Sequence, residues 1–229
     1  MKSIRQNLIG MFVAWLAIGF AALAYAQSPI ATSAPTTRAS DEVLSRIQRQ
    51  LASVKTVQSD FIQEKKLTVF NRTMTIRGQL ALQRPTRLLW TVSDPVKYAI
   101  RVEGDEVCQW DEDTNRVQVI HIGGDPTFRA IFEQFQAWFM GNYSSVSQSY
   151  DVVVQSDRPP VSLSFTPKPG SAMAKIVQGV DLTFGSEESY ISTLVVHEAG
   201  GDTTNIRFLN TQLNQPIKDE AWEIPPRAR

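Results

Sequence analysis

Over most of this chain apolar and polar positions alternate with a period of two, the pattern of a strand that buries one face. Runs of this kind, rich in β-branched and aromatic residues, cover Val57 to Leu67, Thr73 to Gln83, Thr86 to Ser93, Tyr98 to Val102, Val107 to Trp110 and Val117 to Ile122. They resume at Val152 to Val154, Val161 to Phe165, Val180 to Phe184, Ile191 to His197 and Thr204 to Phe208, giving about ten or eleven strands. Turn chemistry at Glu103-Gly104-Asp105, Asp113-Thr114-Asn115 and Gly200-Gly201-Asp202 leaves such short connections that an antiparallel meander is expected.

Two stretches repeat at three to four residues instead. Val43, Leu44, Ile47, Leu51 and Val54 form one apolar stripe, with Ser40 as the candidate N-cap and Asp41 and Glu42 suited to the positive first turn. Asp125-Pro126 opens a second helix and Gly141 closes it; between them Phe128, Ile131, Phe132, Phe135, Trp138 and Phe139 make an aromatic stripe that must meet something large. The fold class is therefore mainly β with helices (α+β). One sheet of this size offers more apolar face than two helices about 10 Å wide can cover. Either the sheet closes on itself as a barrel, or a cavity remains beneath the helices; lined by Leu, Ile, Val and Trp, such a cavity suits apolar ligands.

Arg84 interrupts this pattern. Counted as a strand, Ile76, Gly78, Leu80, Leu82 and Arg84 share the apolar face, Pro85 breaks or bulges the ladder, and Leu88, Trp90 and Val92 resume it. A guanidinium at the rim of an apolar surface calls for a partner. That partner is either the backbone around the Pro85 bulge or a helix end that the arginine latches.

Targeting and charge narrow the setting. Lys2 and Arg5, the apolar run Leu8 to Ala24 and the small-x-small site Ala24-Tyr25-Ala26 compose a secretory signal over residues 1–26, with an uncleaved anchor as the alternative. Gln27, not Cys, follows the cleavage site, so the exported protein is not expected to be a lipoprotein itself. Cleavage removes two of the 23 basic residues and none of the 23 acids, leaving a net charge of −2, with neither a nucleic-acid footprint nor a polybasic membrane patch. Gln27 to Ala39 reads as a flexible leader, and residues 40–229 as one domain. The single cysteine, Cys108, forms no internal disulfide.

Candidates for catalysis are few. His121 and His197 alternate into strands, and Cys108 has no diagnostic histidine beside it. Two histidines and one cysteine at unrelated spacings make no metal site, and Asp111-Glu112-Asp113 reads as a solvated hairpin tip. No phosphate loop, dinucleotide fingerprint or nucleophile elbow is present.

Phe61-Ile62-Gln63, then Gly78, Leu80, Arg84, Pro85, Trp90 and Pro95, then Glu103-Gly104 and Trp110, stand in an ordered series. Thr166-Pro167, Gly201-Asp202-Thr203-Thr204, Asn214-Gln215-Pro216-Ile217 and Trp222-Glu223-Ile224-Pro225-Pro226 continue it. In order and spacing the series, from about Ser40 to Pro226, resembles the periplasmic outer-membrane lipoprotein carriers of the LolA type. The resemblance implies an incomplete antiparallel β-barrel closed by a helical lid, no covalent chemistry and no cofactor. It implies acyl chains of lipidated proteins as cargo, taken in the periplasm from an inner-membrane ABC transporter and passed to an outer-membrane receptor; a monomer is expected, since an oligomer would bury the cavity mouth. It further implies Arg84 as the lid latch; the strand alternation then assigns Leu80, Leu82, Leu88, Trp90, Ile100 and Val102 to the acyl-chain cavity, and the aromatic stripe Phe128, Phe132, Phe135, Trp138 and Phe139 to the lid. The same half barrel occurs in a pigment-biosynthesis protein and in envelope-stress sensors, so a small-molecule enzyme or a lipoprotein-sensing regulator is the alternative. Departures from the family pattern point to a specialised branch: a longer, more aromatic Phe128 to Tyr150, Cys108 at a commonly aromatic position, and only Arg227-Ala228-Arg229 after the Pro-Pro pair.

Overall fold

The computed structural model describes residues 37–121, 137–139, 141, 143–171 and 173–224. Helix α1 (Thr37–Ala52) leads into β1 (Thr56–Leu67), β2 (Arg72–Gln83), β3 (Arg87–Asp94), β4 (Tyr98–Glu103), β5 (Glu106–Asp111) and β6 (Arg116–His121). Residues 137–139 are helical, and α2 (Tyr143–Ser149) enters β7 (Tyr150–Ser156), followed by β8 (Ser162–Pro167), β9 (Val177–Phe184), β10 (Ile191–Glu198) and β11 (Thr203–Leu213). The expected strands are all present, within a few residues of their expected ends.

All eleven strands form one antiparallel sheet in the order β6-β5-β4-β3-β2-β1-β11-β10-β9-β8-β7. Strand β1 pairs with its successor β2 and with the last strand β11, so two meandering wings meet at the middle of the sheet. Strands β6 and β7 stand at opposite edges, and the sheet is an open half barrel rather than a closed one. Asn214, at φ 57°, turns the chain out of β11, and its side chain accepts from the Lys55 amide at 2.7 Å, fixing the start of β1.

The inner face follows the alternation. Phe61, Ile76, Leu80, Leu82, Trp90, Ile100, Val102, Leu163, Phe165, Leu182, Leu194, Ile206 and Phe208 are buried in one cluster with Val43, Ile47 and Leu51 of α1. Helix α1 thus lays its apolar stripe on the concave face of both wings. It begins at Thr37, three residues before the expected cap, so Ser40 lies inside the helix and the expected leader overlaps it. Arg38 and Ala39 are good helix formers, and they extend the first turn past the serine. Helix α2 was not expected, because YSSVSQS reads as loop; yet Tyr143, Val146 and Tyr150 are all buried at spacings of three and four.

Candidate functional site

The site is the junction of the sheet's inner face with its helical cover. Strand β2 ends at Gln83, so Arg84 stands in the β2–β3 turn, at the end of the sheet crossed by the C-terminus of α1. Its Nε donates to the carbonyl of Val54 at 2.7 Å and its Nη2 to that of Leu51 at 2.9 Å, while its own amide donates to Lys55 O at 2.9 Å. The last carbonyls of a helix have no partner within it and carry the negative end of its dipole, which is where a fork of N–H donors on a cation fits best. Partial burial pulls the Arg84 pKa down from its ordinary value.

A second arginine holds the same helix on the other wing. Arg46 Nε contacts both carboxylate oxygens of Glu188, at 2.8 and 3.0 Å, in the β9–β10 connection; its Nη2 donates to Asp157 O at 3.2 Å in the β7–β8 turn. The hydrogen bond to Glu188 raises the Arg46 pKa against its small desolvation. Helix α1 is therefore clasped to both wings, by Arg84 beside β2 and by Arg46 beside β7 to β10. Nothing in the local pattern around Arg46 marked it, since its partner is 142 residues away.

Between helix and sheet, the described side chains of the inner face are buried in one apolar cluster. One cavity of about 10 Å³, roughly a single water's worth, is lined by Leu51, Val54, Leu80, Leu82, Arg84 and Phe139 among others. Of the expected cavity residues, Leu80 and Leu82 border this space, whereas Leu88, Trp90, Ile100 and Val102 are buried elsewhere in the same cluster. Trp90 stacks on Phe61 with ring centroids 4.0 Å apart and meets the edge of Phe208 at 6.4 Å. Of the expected lid, Trp138 is buried against Phe165 and Tyr150, and Phe139 stands edge-on to Phe208 at 5.6 Å. Phe128, Ile131, Phe132 and Phe135 lie outside the described residues, as does most of the helix expected from Pro126. Tyr143, buried beneath this group, donates to the Trp138 carbonyl at 3.1 Å, and desolvation drives its pKa far up, so it stays a neutral donor.

Away from the Arg84 end, the concave face holds a buried ion pair. Lys65 Nζ lies 2.7 and 3.0 Å from the carboxylate oxygens of Glu198, and Thr204 Oγ1 donates to Glu198 Oε1 at 3.0 Å. Alternation puts Lys65 on the face of Phe61 and Gln63, so its inward direction was readable, but its partner was not.

The convex face carries the groups weighed as catalytic. His121 ends β6 exposed, and His197 Nε2 lies 2.8 Å from Asp181 Oδ2. Ser164 donates to the other oxygen of that carboxylate, so the aspartate separates the two and the histidine has no grip on the hydroxyl. Cys108 lies under the C-terminal segment: Arg101 Nη2 contacts its sulfur at 3.4 Å, its thiol donates to Glu106 at 3.2 Å, and burial followed by that carboxylate raises its pKa. Trp222 covers this region, with Arg87 stacked 4.7 Å over its ring and Arg101 Nη1 donating to its carbonyl at 3.3 Å. Among the described residues, no group of three or more His, Cys, Asp or Glu is placed to hold a metal ion.

An open antiparallel half barrel, apolar inside and clasped under a helix by two arginines, defines the structural class. The family model described as "Outer membrane lipoprotein carrier protein LolA" matches residues 52–225, and the chain belongs to that family. Among curated proteins the chain is similar to the outer-membrane lipoprotein carrier protein of Pseudoalteromonas translucida (strain TAC 125), 22% identical over 184 residues, 79% of this chain and 81% of that one. The carrier of the same description from Chromohalobacter salexigens is 26% identical over 185 residues, 80% of this chain and 83% of that one. Among solved structures, a LolA superfamily protein from Nitrosomonas europaea superposes with a TM-score of 0.43 at 9% identity, over 80% of this chain and 96% of that one.

Proposed function

We propose that this protein is a non-enzymatic periplasmic carrier, which takes the acyl chains of a lipidated protein between its sheet and its helical cover and moves them from the inner to the outer membrane. An inner-membrane ABC transporter would load it, and an outer-membrane receptor would unload it. The observation that carries the reading is the double clasp on α1 above a buried apolar cluster. The cavity bordered by Leu80, Leu82 and Arg84, about 10 Å³, holds no acyl chain, so entry at this end requires the cover to lift. At the Arg84 end the hydrogen bonds to the Val54 and Leu51 carbonyls help to hold the cover, and such bonds break and re-form without chemistry.

The energetics suit a shuttle. Each methylene withdrawn from water contributes about 0.8 kcal/mol, and that gain is offset by separating α1 and the aromatic group of Trp138 and Phe139 from the sheet. Cargo favours the open state only by its differential affinity for it, so re-closure of the arginine clasp drives release. Phe132, Phe135 and Trp138 are assigned to the moving cover, and Leu80, Leu82, Leu88, Trp90, Ile100 and Val102 to the surface the chains meet.

Family membership supports the cargo class, because the curated relatives are described as lipoprotein carriers. The test is native mass spectrometry of protein recovered from periplasm without detergent, before and after addition of a lipidated protein. A bound acylated species is the expected result. A ligand-free spectrum that persists with lipidated protein in excess overturns the reading.

A further inference from the structure

The β1–β2 hairpin reaches past its neighbour. Arg77 is the last residue of β2 paired with β3, so Arg72, Thr73, Met74 and Thr75 extend beyond that strand with exposed side chains. At the tip, residues 68–71, Val69 is 83% exposed and Phe70 71%, and Met74 beside them is 37% exposed. Two adjacent large apolar side chains held out in water are unfavourable unless something covers them. Lys66 and Arg72, both exposed, flank the pair on the two strands.

The tip is braced rather than loose. The Thr68 amide donates to Asp202 Oδ1 at 2.9 Å, Thr68 Oγ1 donates to the Gly201 carbonyl at 2.6 Å, and the Asn71 amide closes the turn on Thr68 O at 3.3 Å. Asn71 adopts the left-handed conformation, φ 46°, that such a turn needs. The nearby acids are engaged: Asp202 caps Thr68, and Glu64 lies 3.7 Å from Arg207. A convex, rigid point with apolar residues at the apex and cations at its shoulders fits no groove-filling role, but it matches the layering of a bilayer surface, with acyl boundary beneath anionic headgroups.

We propose that the Val69-Phe70 tip is a membrane-docking point, which inserts between the headgroups of an anionic phospholipid surface while Lys66 and Arg72 meet the phosphates. Because Arg84 stands at the opposite end of β1 and β2, docking leaves the α1 clasp facing the periplasm and its protein partners. The contact is weak and reversible, since one short apolar insertion falls well below stable anchoring. It is independent of the cargo: a protein that carries no acyl chain would still dock, and a carrier that docks elsewhere would pass the cargo test and fail this one.

Exported protein is sedimented with vesicles of phosphatidylethanolamine and phosphatidylglycerol, free of lipoprotein, and with vesicles of phosphatidylcholine alone. The wild-type chain is expected to partition onto the anionic vesicles, the double substitution Val69→Ser/Phe70→Ser to lower that partitioning by about tenfold or more, and Lys66→Gln/Arg72→Gln to lower it on anionic vesicles only, in a salt-sensitive way. Unchanged thermal melting checks that these exposed substitutions leave the fold intact. Absence of wild-type binding, equal binding by the serine variant, or a tip-dependent dimer in equilibrium sedimentation would each overturn the proposal.

Discussion

Arg84 Nη2 donates to the carbonyl oxygen of Leu51, the penultimate residue of α1, at 2.9 Å, joining the end of the first hairpin wing to the helix that covers the interior. Together with the bond to Val54, just past the helix, it adds a cationic donor to the Leu51 carbonyl, which also accepts from the Val54 amide at 3.1 Å. Arg84→Leu removes both bonds, leaving the Leu51 carbonyl with only its bond from the Val54 amide, at a cost of about 1–3 kcal/mol. The thermal midpoint should fall, and amide hydrogen exchange should accelerate selectively along α1. Arg84→Lys should recover little, because an ammonium cannot fork to two carbonyls in the same geometry. Arg46→Ala, at a clasp whose guanidinium is 41% exposed, should cost no more than about 1 kcal/mol and should fade with salt. In cargo assays Arg84→Leu should impair handover more than capture; normal delivery by that variant rules out the clasp as a release device.

The contrast between these two arginines shows what was legible in the sequence. Arg84 broke a period-two pattern, so its oddness could be seen before any partner was known. Arg46 sits on the polar side of an amphipathic helix, where an arginine is ordinary, and its partners belong to turns more than a hundred residues away. The strands were legible because alternation is a local consequence of burying one face. Helix α2 was not, since serine-rich composition hid the spacing of Tyr143, Val146 and Tyr150. The burial of Cys108 was beyond reach, because the convex face of an antiparallel sheet is normally read as solvent-facing.

Gly78 lies where β1, β2 and β3 are packed most closely. A Cβ built there collides with the Thr91 backbone oxygen and comes within 2.5 Å of the Phe61 ring, the ring that stacks on Trp90. Backbone cannot swing aside as a side-chain tip can. Gly78→Ala should therefore destabilise the fold by at least about 2 kcal/mol, in the upper part of the range for overpacked cores, and should alter the near-ultraviolet circular dichroism of Trp90. An alanine variant with wild-type melting would show that the sheet yields at this crossing.

Cys108 should behave as a protected thiol. Burial and the Glu106 carboxylate both raise its pKa, so the thiolate fraction at neutral pH is lower than for a free cysteine, and the pH midpoint of alkylation should lie above that of a free cysteine. Trp222→Ala removes the ring stacked under Arg87 and opens the cover over β3 to β5. Alkylation by a maleimide should then accelerate several-fold at fixed pH while the fold persists. Equal rates in both proteins would mean that the C-terminal segment does not shield the sulfur.

The Lys65–Glu198 pair tests whether charge inside the half barrel contributes to stability or only to specificity. Both side chains are almost fully buried, at 6% and 3% exposure, and burial raises the Glu198 pKa despite the opposing influence of Lys65 and Thr204. Desolvation thus outweighs pairing at the carboxylate. Lys65→Met leaves Glu198 without its cation and should lift that pKa further, because the lowering contribution disappears while the desolvation stays. A carboxyl whose folded pKa exceeds its unfolded value stabilises most when protonated, so the variant should be nearest to wild-type stability below about pH 4.5 and should lose ground as pH rises through the folded value. At neutral pH the deficit should approach the roughly 3–5 kcal/mol of a broken buried pair. The triple change Lys65→Met/Glu198→Leu/Thr204→Val removes the ammonium, the carboxylate and the hydroxyl together, and should be neutral or stabilising with no pH dependence from this site. Denaturant unfolding of the three proteins from pH 4 to pH 8 separates the cases: a triple variant as unstable as Lys65→Met would mean that the pair itself, and not relief from an orphaned charge, holds this part of the interior together.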